Sequence, residues 1–168
     1  MKPILSKIKY SIKETFYVLL LMTIIANVMS IYRSQELNHT PLKIEKFKLI
    51  TNKEFHIDKS KPLLIHFWAT WCPTCKMEAS NINLLSKYFQ VVTIAVKSGS
   101  DYELKKYLDE HGYTFLVVND KDTQLSKYFK IAGYPTTFIY DKEQKLRFSE
   151  VGYTSTLGLY LRLLWVEF

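Results

Sequence analysis

The chain's two cysteines stand two residues apart, in Trp71-Cys72-Pro73-Thr74-Cys75. A pair at this spacing can close on itself as a disulfide and exchange with another. One thiolate attacks a substrate disulfide, and the second thiol resolves the mixed disulfide. The nearly unbroken apolar run Leu63–Ala69 precedes the pair and reads as a strand buried on both faces. Apolar residues at helical spacing follow it over 76–88: Met77, Ile82, Leu84, Leu85 and Tyr88. Cys72 therefore falls about where a helix begins. Unpaired backbone N–H groups and the positive end of the helix dipole stabilise a thiolate there. Pro73 suits the first helical turn, because it has no N–H to leave unpaired and its φ is preset. Cys72 is the candidate nucleophile and Cys75 the candidate resolving thiol.

Other chemistries fit the same residues less well. A structural staple across so short a loop would remove little entropy from the unfolded chain. A zinc site needs more ligands, and His39, His56, His66 and His111 show no metal-binding spacing. A c-type haem motif needs histidine directly after the second cysteine, where Lys76 stands. No resident metal or organic cofactor is expected; the redox-active Cys72–Cys75 disulfide is itself the reacting group. Copper(I) capture by two soft thiolates, with Met77 close by, remains the alternative from a different class: a binding module without turnover.

These residues must be positioned by an α/β framework. Phe47–Ile50 and Phe55–Ile57 read as a short hairpin, followed by the Leu63–Ala69 strand and the 76–88 helix. Val91–Val96 is a second buried strand. Asp101–His111 is a helix, with Asp101 near its start and Gly112 just past its end. Phe115–Val118 is a strand and Thr123–Phe129 a short helix. Thr136–Tyr140 and Leu146–Phe148 pair across Asp141–Lys145, and Leu157–Val166 is a final helix. Strands alternating with helices imply an α/β sheet.

The 168 residues suffice for one domain with an appendage. The formal charge of +7 is concentrated at the start. Lys2, Lys7, Lys9, Lys13 and Arg33 face only Glu14 within residues 1–33, and the remainder is nearly balanced. No basic stripe supports nucleic-acid binding. Phe16–Tyr32 (FYVLLLMTIIANVMSIY) carries no charge. As a helix it spans roughly 25 Å, the short end of what crosses a bilayer. The preceding lysines place residues 1–15 in the cytoplasm and the rest outside, in an oxidising bacterial periplasm. The expected plan is a basic tail (1–15), a single transmembrane anchor (16–32), a polar linker (33–46) and a redox domain (47–168). A cleaved signal peptide ending near Val28-Met29-Ser30 is the rival, but the apolar run is long and lacks a good cleavage signal. A core helix would show a polar face.

Gly133-Tyr134-Pro135-Thr136-Thr137 precedes a strand downstream of the cysteines. Together with FWATWCPTC (67–75), it makes the chain resemble the thioredoxin fold, in which a cis-proline loop faces the CxxC pair and guides substrate backbone. The preceding hairpin and the helix–strand insertion at 101–118 resemble the membrane-anchored TlpA-like reductases. The segments VVTIAVKSGSD (91–101), FLVVND (115–120) and YTSTLGLYLRLLW (153–165) look most like the suppressor of copper sensitivity D-type proteins. The likeness covers the anchor and essentially the whole domain. It implies a thiol:disulfide oxidoreductase acting on periplasmic protein thiols and disulfides. It further implies a reducing direction, a membrane electron-donor protein as partner and a link to copper tolerance. It also implies substrate contacts from Tyr134, Pro135 and Thr136, with Trp71 at the rim. Tyr134 departs from the small or β-branched residue often found before this proline. His66 stands, by count from Cys72, where thioredoxin keeps an acid beneath the resolving cysteine. It is either a proton acceptor for Cys75 or a satisfied core histidine. Glu78, three after Cys75, stands where many TlpA-like proteins carry an acid. It either tunes the cysteines or faces solvent, the more ordinary place for a glutamate.

Overall fold

A computed structural model of the chain describes residues 13–22, 24, 25, 28, 29, 32, 35 and 37–167. Residues 13–22 are helical and exposed. Thr23, Ala26, Asn27, Ser30 and Ile31 of the expected anchor, and residues 1–12 of the basic tail, lie outside the described residues. Among the described residues no helix is long and apolar enough to cross a membrane.

The domain begins with a two-stranded antiparallel sheet, β1 (Lys46–Lys48) and β2 (Glu54–His56). The main sheet has five strands: β3 (Leu63–Trp68), β4 (Gln90–Val96), β5 (Leu116–Asp120), β6 (Thr136–Tyr140) and β7 (Leu146–Val151). Their order is β5-β4-β3-β6-β7, with β3, β4 and β5 parallel and β6 and β7 antiparallel to their neighbours. The helices are α1 (Pro73–Leu85), α2 (Asp101–His111), α3 (Gln124–Tyr128) and α4 (Thr156–Glu167). The unit α2–β5 is the expected helix–strand insertion, and it extends the sheet beyond β4. The hairpin lies along that edge, where the Ile50 N–H donates to the Val117 carbonyl at 3.0 Å.

β3 is buried along its whole length because both faces of the sheet are covered. Ile65 and Phe67 point into a cluster with Phe129, Phe138, Tyr140 and Phe47. Leu64 and Trp68 point the other way, into a cluster with Cys72, Cys75, Ile82, Leu104, Leu159 and Leu163. The second cluster fixes α1 and α4 over the sheet, and burying each such aliphatic side chain contributes about 1.5–3 kcal/mol.

Local chemistry explains several boundaries. α2 starts at a capping box: the Glu103 N–H donates to Ser100 Oγ at 3.2 Å, and the Ser100 N–H donates to Glu103 Oε2 at 2.7 Å. It ends at Gly112, whose φ of +66° suits glycine. α3 lacks a cap from its own Thr123; Asp120 at the end of β5 accepts from Leu125 N–H, Ser126 N–H and Ser126 Oγ instead.

Three expectations need correction. α1 begins at Pro73 with Cys72 as its N-cap, as expected, but it stops at Leu85, so 86–88 is a turn and not the last part of the helix. β7 runs to Val151, beyond the apolar Leu146–Phe148; its polar residues pair with β6 and were not readable as a strand. The described part of the expected linker from residue 37 on is not a plain polar linker, since Leu37 and Leu42 are buried in the first cluster. The Asn38 N–H donates to Phe129 O at 3.2 Å and the Leu42 N–H to Gln144 O at 2.9 Å.

Candidate active site

Cys72 is the N-cap of α1, with extended backbone at φ −89° and ψ 114°. The Cys75 N–H donates to Cys72 Sγ at 3.2 Å. Pro73 occupies the first helical position, so the backbone donor it lacks is one the helix start would leave unpaired. Cys72 and Cys75 are joined as a disulfide, with 5.3 Å between their Cα atoms. Cys75 is 1 % exposed and Cys72 6 %, so the first sulfur belongs to the more accessible residue. After reduction, a thiolate at Cys72 keeps the N–H of residue 75 and the dipole end of α1 as its stabilisers.

The second wall of the site is the turn that opens β6. The Tyr134–Pro135 bond is cis. The Tyr134 ring packs edge-on to the Trp71 indole, with 5.6 Å between centroids and 88° between planes. Trp71 is 57 % exposed, and its Nε1 donates to the Lys97 carbonyl at 3.1 Å, which ties the cysteine loop to the end of β4. The Gly152 N–H donates to Pro135 O at 2.8 Å; the φ of +103° at Gly152 gives a glycine the turn it alone adopts without strain. Thr136 is fully buried, and its hydroxyl donates to Gly133 O at 2.8 Å. Its side chain therefore shapes the loop from inside and is not presented to a substrate.

Beneath α1 the sheet carries a polar rung. His66 on β3 stands opposite Thr93 on β4 and Thr137 on β6, and Thr137 stands opposite Glu150 on β7. Strand alternation puts all four on the face that carries the cysteine cluster. His66 is 2 % exposed and shares a 2.9 Å hydrogen bond, through Nδ1, with Thr137 Oγ1. Burial pushes its pKa down to about 3, so the imidazole is neutral at ordinary pH. Trp68 Nε1 donates to Thr93 Oγ1 at 3.1 Å, and Thr93 in turn donates to Leu116 O at 2.9 Å.

Glu78 does not face solvent, the more ordinary of its two expected placements. It is fully buried in α1. The Thr154 N–H donates to Oε1 at a long 3.4 Å, and the buried Oε2 has no hydrogen-bond partner among the described residues. Burial raises its pKa to about 8, opposed by the Thr154 N–H and assisted by the charge of Glu150. Thr137, Glu150 and Thr154 could not be found from spacing, because only strand register and the β7–α4 turn bring them to this corner. Among the described residues no group of three or more His, Cys, Asp or Glu side chains could hold a metal ion. Met77, the soft donor close to the pair, is 68 % exposed.

Comparison with known proteins agrees with this architecture. The chain is 30 % identical over 171 residues to a thioredoxin-like protein of Haemophilus influenzae, covering 96 % of this chain and 98 % of that protein. It is 37 % identical over 78 residues to a thiol:disulfide interchange protein DsbE of Pasteurella multocida, covering 42 % of this chain and 40 % of that protein. A thioredoxin-family thiol:disulfide interchange protein from Chlorobium tepidum superposes with a TM-score of 0.65 at 23 % identity, over 78 % of this chain and 99 % of that one, and so shares the fold. The AhpC/TSA family profile matches residues 35–149, starting within the stretch whose Leu37 and Leu42 pack on the domain. By that match, and by near full-length similarity to the Haemophilus influenzae protein, the chain belongs to the thioredoxin-like AhpC/TSA family.

Proposed function

We propose that this protein is a thiol:disulfide oxidoreductase that exchanges the Cys72–Cys75 disulfide with protein thiols. The observation that carries the reading is the disulfide in the first turn of α1, packed against the cis Tyr134–Pro135 loop. In the reducing direction the Cys72 thiolate attacks a substrate disulfide. One substrate sulfur bonds to Cys72 Sγ and the other leaves as a thiolate that takes up a proton. Cys75 then loses its proton and attacks Cys72 Sγ, releasing the second substrate thiol and restoring the protein disulfide. Two electrons pass to the substrate, and a membrane electron-donor protein returns them.

Each neighbouring residue has a part in this scheme. Trp71 and Tyr134 form the rim on which substrate rests, and Pro135 shapes the backbone edge beside it. His66 and Glu78 are the candidate proton carriers for Cys75. A carboxyl with a pKa of about 8 lies close to an ordinary thiol's, which is the matching that efficient proton transfer needs. The uncharged run Phe16–Tyr32 behind four lysines supports a single-pass inner-membrane anchor with the domain on the periplasmic side. The likeness of 91–101, 115–120 and 153–165 to the suppressor of copper sensitivity D-type proteins supports the reducing direction and the link to copper tolerance.

Insulin-type disulfide reduction by the protein tests the reading. Activity is expected from the wild type and none from Cys72→Ser, while Cys75→Ser accumulates mixed disulfides with its partners. Tight copper(I) binding by the dithiol with no turnover on any disulfide would overturn it in favour of a binding module. A periplasm-only reporter fused after Glu36 is expected to be active; cytoplasmic activity would overturn the orientation.

A further inference from the structure

Tyr134 belongs to two packed regions at once. Its ring lies against the cluster that holds Cys72 and Cys75 and against the cluster of Phe67 and Phe129. It meets Trp71, the residue before Cys72, edge-on. It also lines a cavity of about 400 Å³ together with Thr123, Ser126, Lys127, Lys130 and Ile131, which belong to the stretch from the start of α3 to the cis peptide. The charge of this cavity is one-sided. Lys127 and Lys130 are exposed, and among the described residues no acidic side chain lines it. Asp120, at the end of β5, is buried and accepts from Leu125 N–H at 3.1 Å, Ser126 N–H at 2.8 Å and Ser126 Oγ at 2.6 Å. Its carboxylate is thus committed to holding α3. Two ammonium groups on flexible stems remain to meet an incoming anion.

The same sign recurs around the disulfide. Lys76 follows Cys75 and is exposed. Lys97 is exposed too, and its carbonyl accepts from the Trp71 indole. The acids at this end of the sheet are engaged elsewhere. Glu103 accepts from Ser100 N–H at 2.7 Å, and Asp101 meets Asn119 Nδ2 at 2.6 Å and Lys121 Nζ at 3.9 Å. Asp122 is exposed in the turn before α3 and does not line the cavity. Exposed lysines alone are ordinary. Here two of them flank a cavity walled by Ile131 and by the tyrosine of the loop that faces the cysteines.

We propose that the cavity between α3 and the cis Tyr134–Pro135 loop is a subsite for an acidic side chain, so that the protein favours polypeptide substrates with aspartate or glutamate beside the reacting cysteine. The inference rests on the oxidoreductase reading and names the substrate class of that site. A polypeptide with one sulfur at Cys72 and its backbone beside Pro135 passes Tyr134, and a neighbouring carboxylate then comes within reach of Lys127 and Lys130. Each exposed lysine–carboxylate pair changes affinity by up to about fivefold. The surrounding lysines add a longer-range attraction that speeds encounter and weakens with salt.

The experiment measures the rate constant for oxidation of the reduced full chain by peptide disulfides that differ only in the residues flanking cysteine: glutamate, glutamine or lysine. The wild type is expected to react with the glutamate peptide roughly tenfold faster than with the lysine peptide, with the glutamine peptide between them. The double substitution Lys127→Glu with Lys130→Glu should invert that order, and Lys127→Arg with Lys130→Arg should keep it. A wild-type ratio near one would overturn the proposal. So would a glutamate preference that survives the double glutamate substitution, because it would then come from Lys76 and Lys97. Should the double glutamate variant fail to fold, Lys127→Gln with Lys130→Gln still decides, by a ratio that falls to about twofold or one that stays at its wild-type value. A wild type that reacts with none of the peptides, nor with hydroxyethyl disulfide, would overturn the oxidoreductase reading instead. Binding of the glutamate peptide with its cysteine methylated, followed by tryptophan fluorescence of the oxidised full chain, then decides the subsite: loss of binding in the double glutamate variant supports it, and equal or absent binding in both proteins overturns it.

Discussion

The Trp71 indole stands edge-on to the Tyr134 ring, so the loop before the cysteine helix and the loop before β6 are joined by one aromatic contact. An edge-to-face pair of this kind contributes about 0.5–1.5 kcal/mol beyond the area it buries. Trp71 is more than half exposed, so its removal should cost the fold little. Trp71→Ala is expected to raise the KM for a peptide disulfide by roughly fivefold, in line with the loss of about 1 kcal/mol of rim contact. Reduction of the Cys72–Cys75 bond by dithiothreitol should be unchanged. Steady-state kinetics with both partners check this; equal losses on the two would assign Trp71 a structural part.

His66 is held neutral in the sheet and bonded to Thr137. His66→Asn is expected to slow release of substrate from a trapped mixed disulfide while attack by Cys72 keeps its rate. Rapid-quench kinetics with an alkylating reagent separate the two steps. Equal rates for wild type and variant in the release step would leave His66 as a core residue only.

His66 and Glu78 also shape stability against pH, with opposite signs. The His66 pKa falls from 6.5 to about 3 on folding, so between those values the unfolded chain holds the extra proton and stability drops as pH falls. The Glu78 pKa rises from 4.5 to about 8, so between those values the folded chain holds the extra proton and stability drops as pH rises. Each limb has a slope of about 1.4 kcal/mol per pH unit, and the two cancel where they overlap, between 4.5 and 6.5. Urea melts of the oxidised protein should show Glu78→Gln losing the alkaline limb and His66→Asn losing the acid limb.

The stretch before β1 is part of the folded unit. Leu37→Ala and Leu42→Ala are each expected to cost about 2–3 kcal/mol, the ordinary loss for a buried leucine. Denaturant unfolding of the domain checks this, and a loss near zero would return residues 37–42 to the role of a linker.

How legible all this was depended on whether the signal was local. The strand β3 showed itself as an unbroken apolar run because both its faces are buried, and α2 was bounded by Asp101 in its first turn and Gly112 just past its end, while its Ser100–Glu103 capping box went unread. The cysteines announced their chemistry through spacing and the proline between them. The burial of Glu78 was hidden, because on α1 it is flanked by the exposed Met77 and the buried Ala79, and the Thr154 N–H that reaches it comes from the turn after β7. The rung of Thr93, His66, Thr137 and Glu150 was hidden for the same reason: register across four strands is a property of the folded sheet. Leu37 and Leu42 were lost in a polar stretch, since two isolated leucines form no period.

The most direct test follows the alkylation of Cys72 in the reduced protein as a function of pH, with Cys75 as the internal comparison. A thiol at the N-cap of α1 is expected to react rapidly and to titrate below the ordinary cysteine value of about 8.5, while the buried Cys75 stays unreactive. A Cys72 that resists the reagent across that range, or a Cys75 that reacts first, would contradict the assignment of the nucleophile and the exchange chemistry built on it.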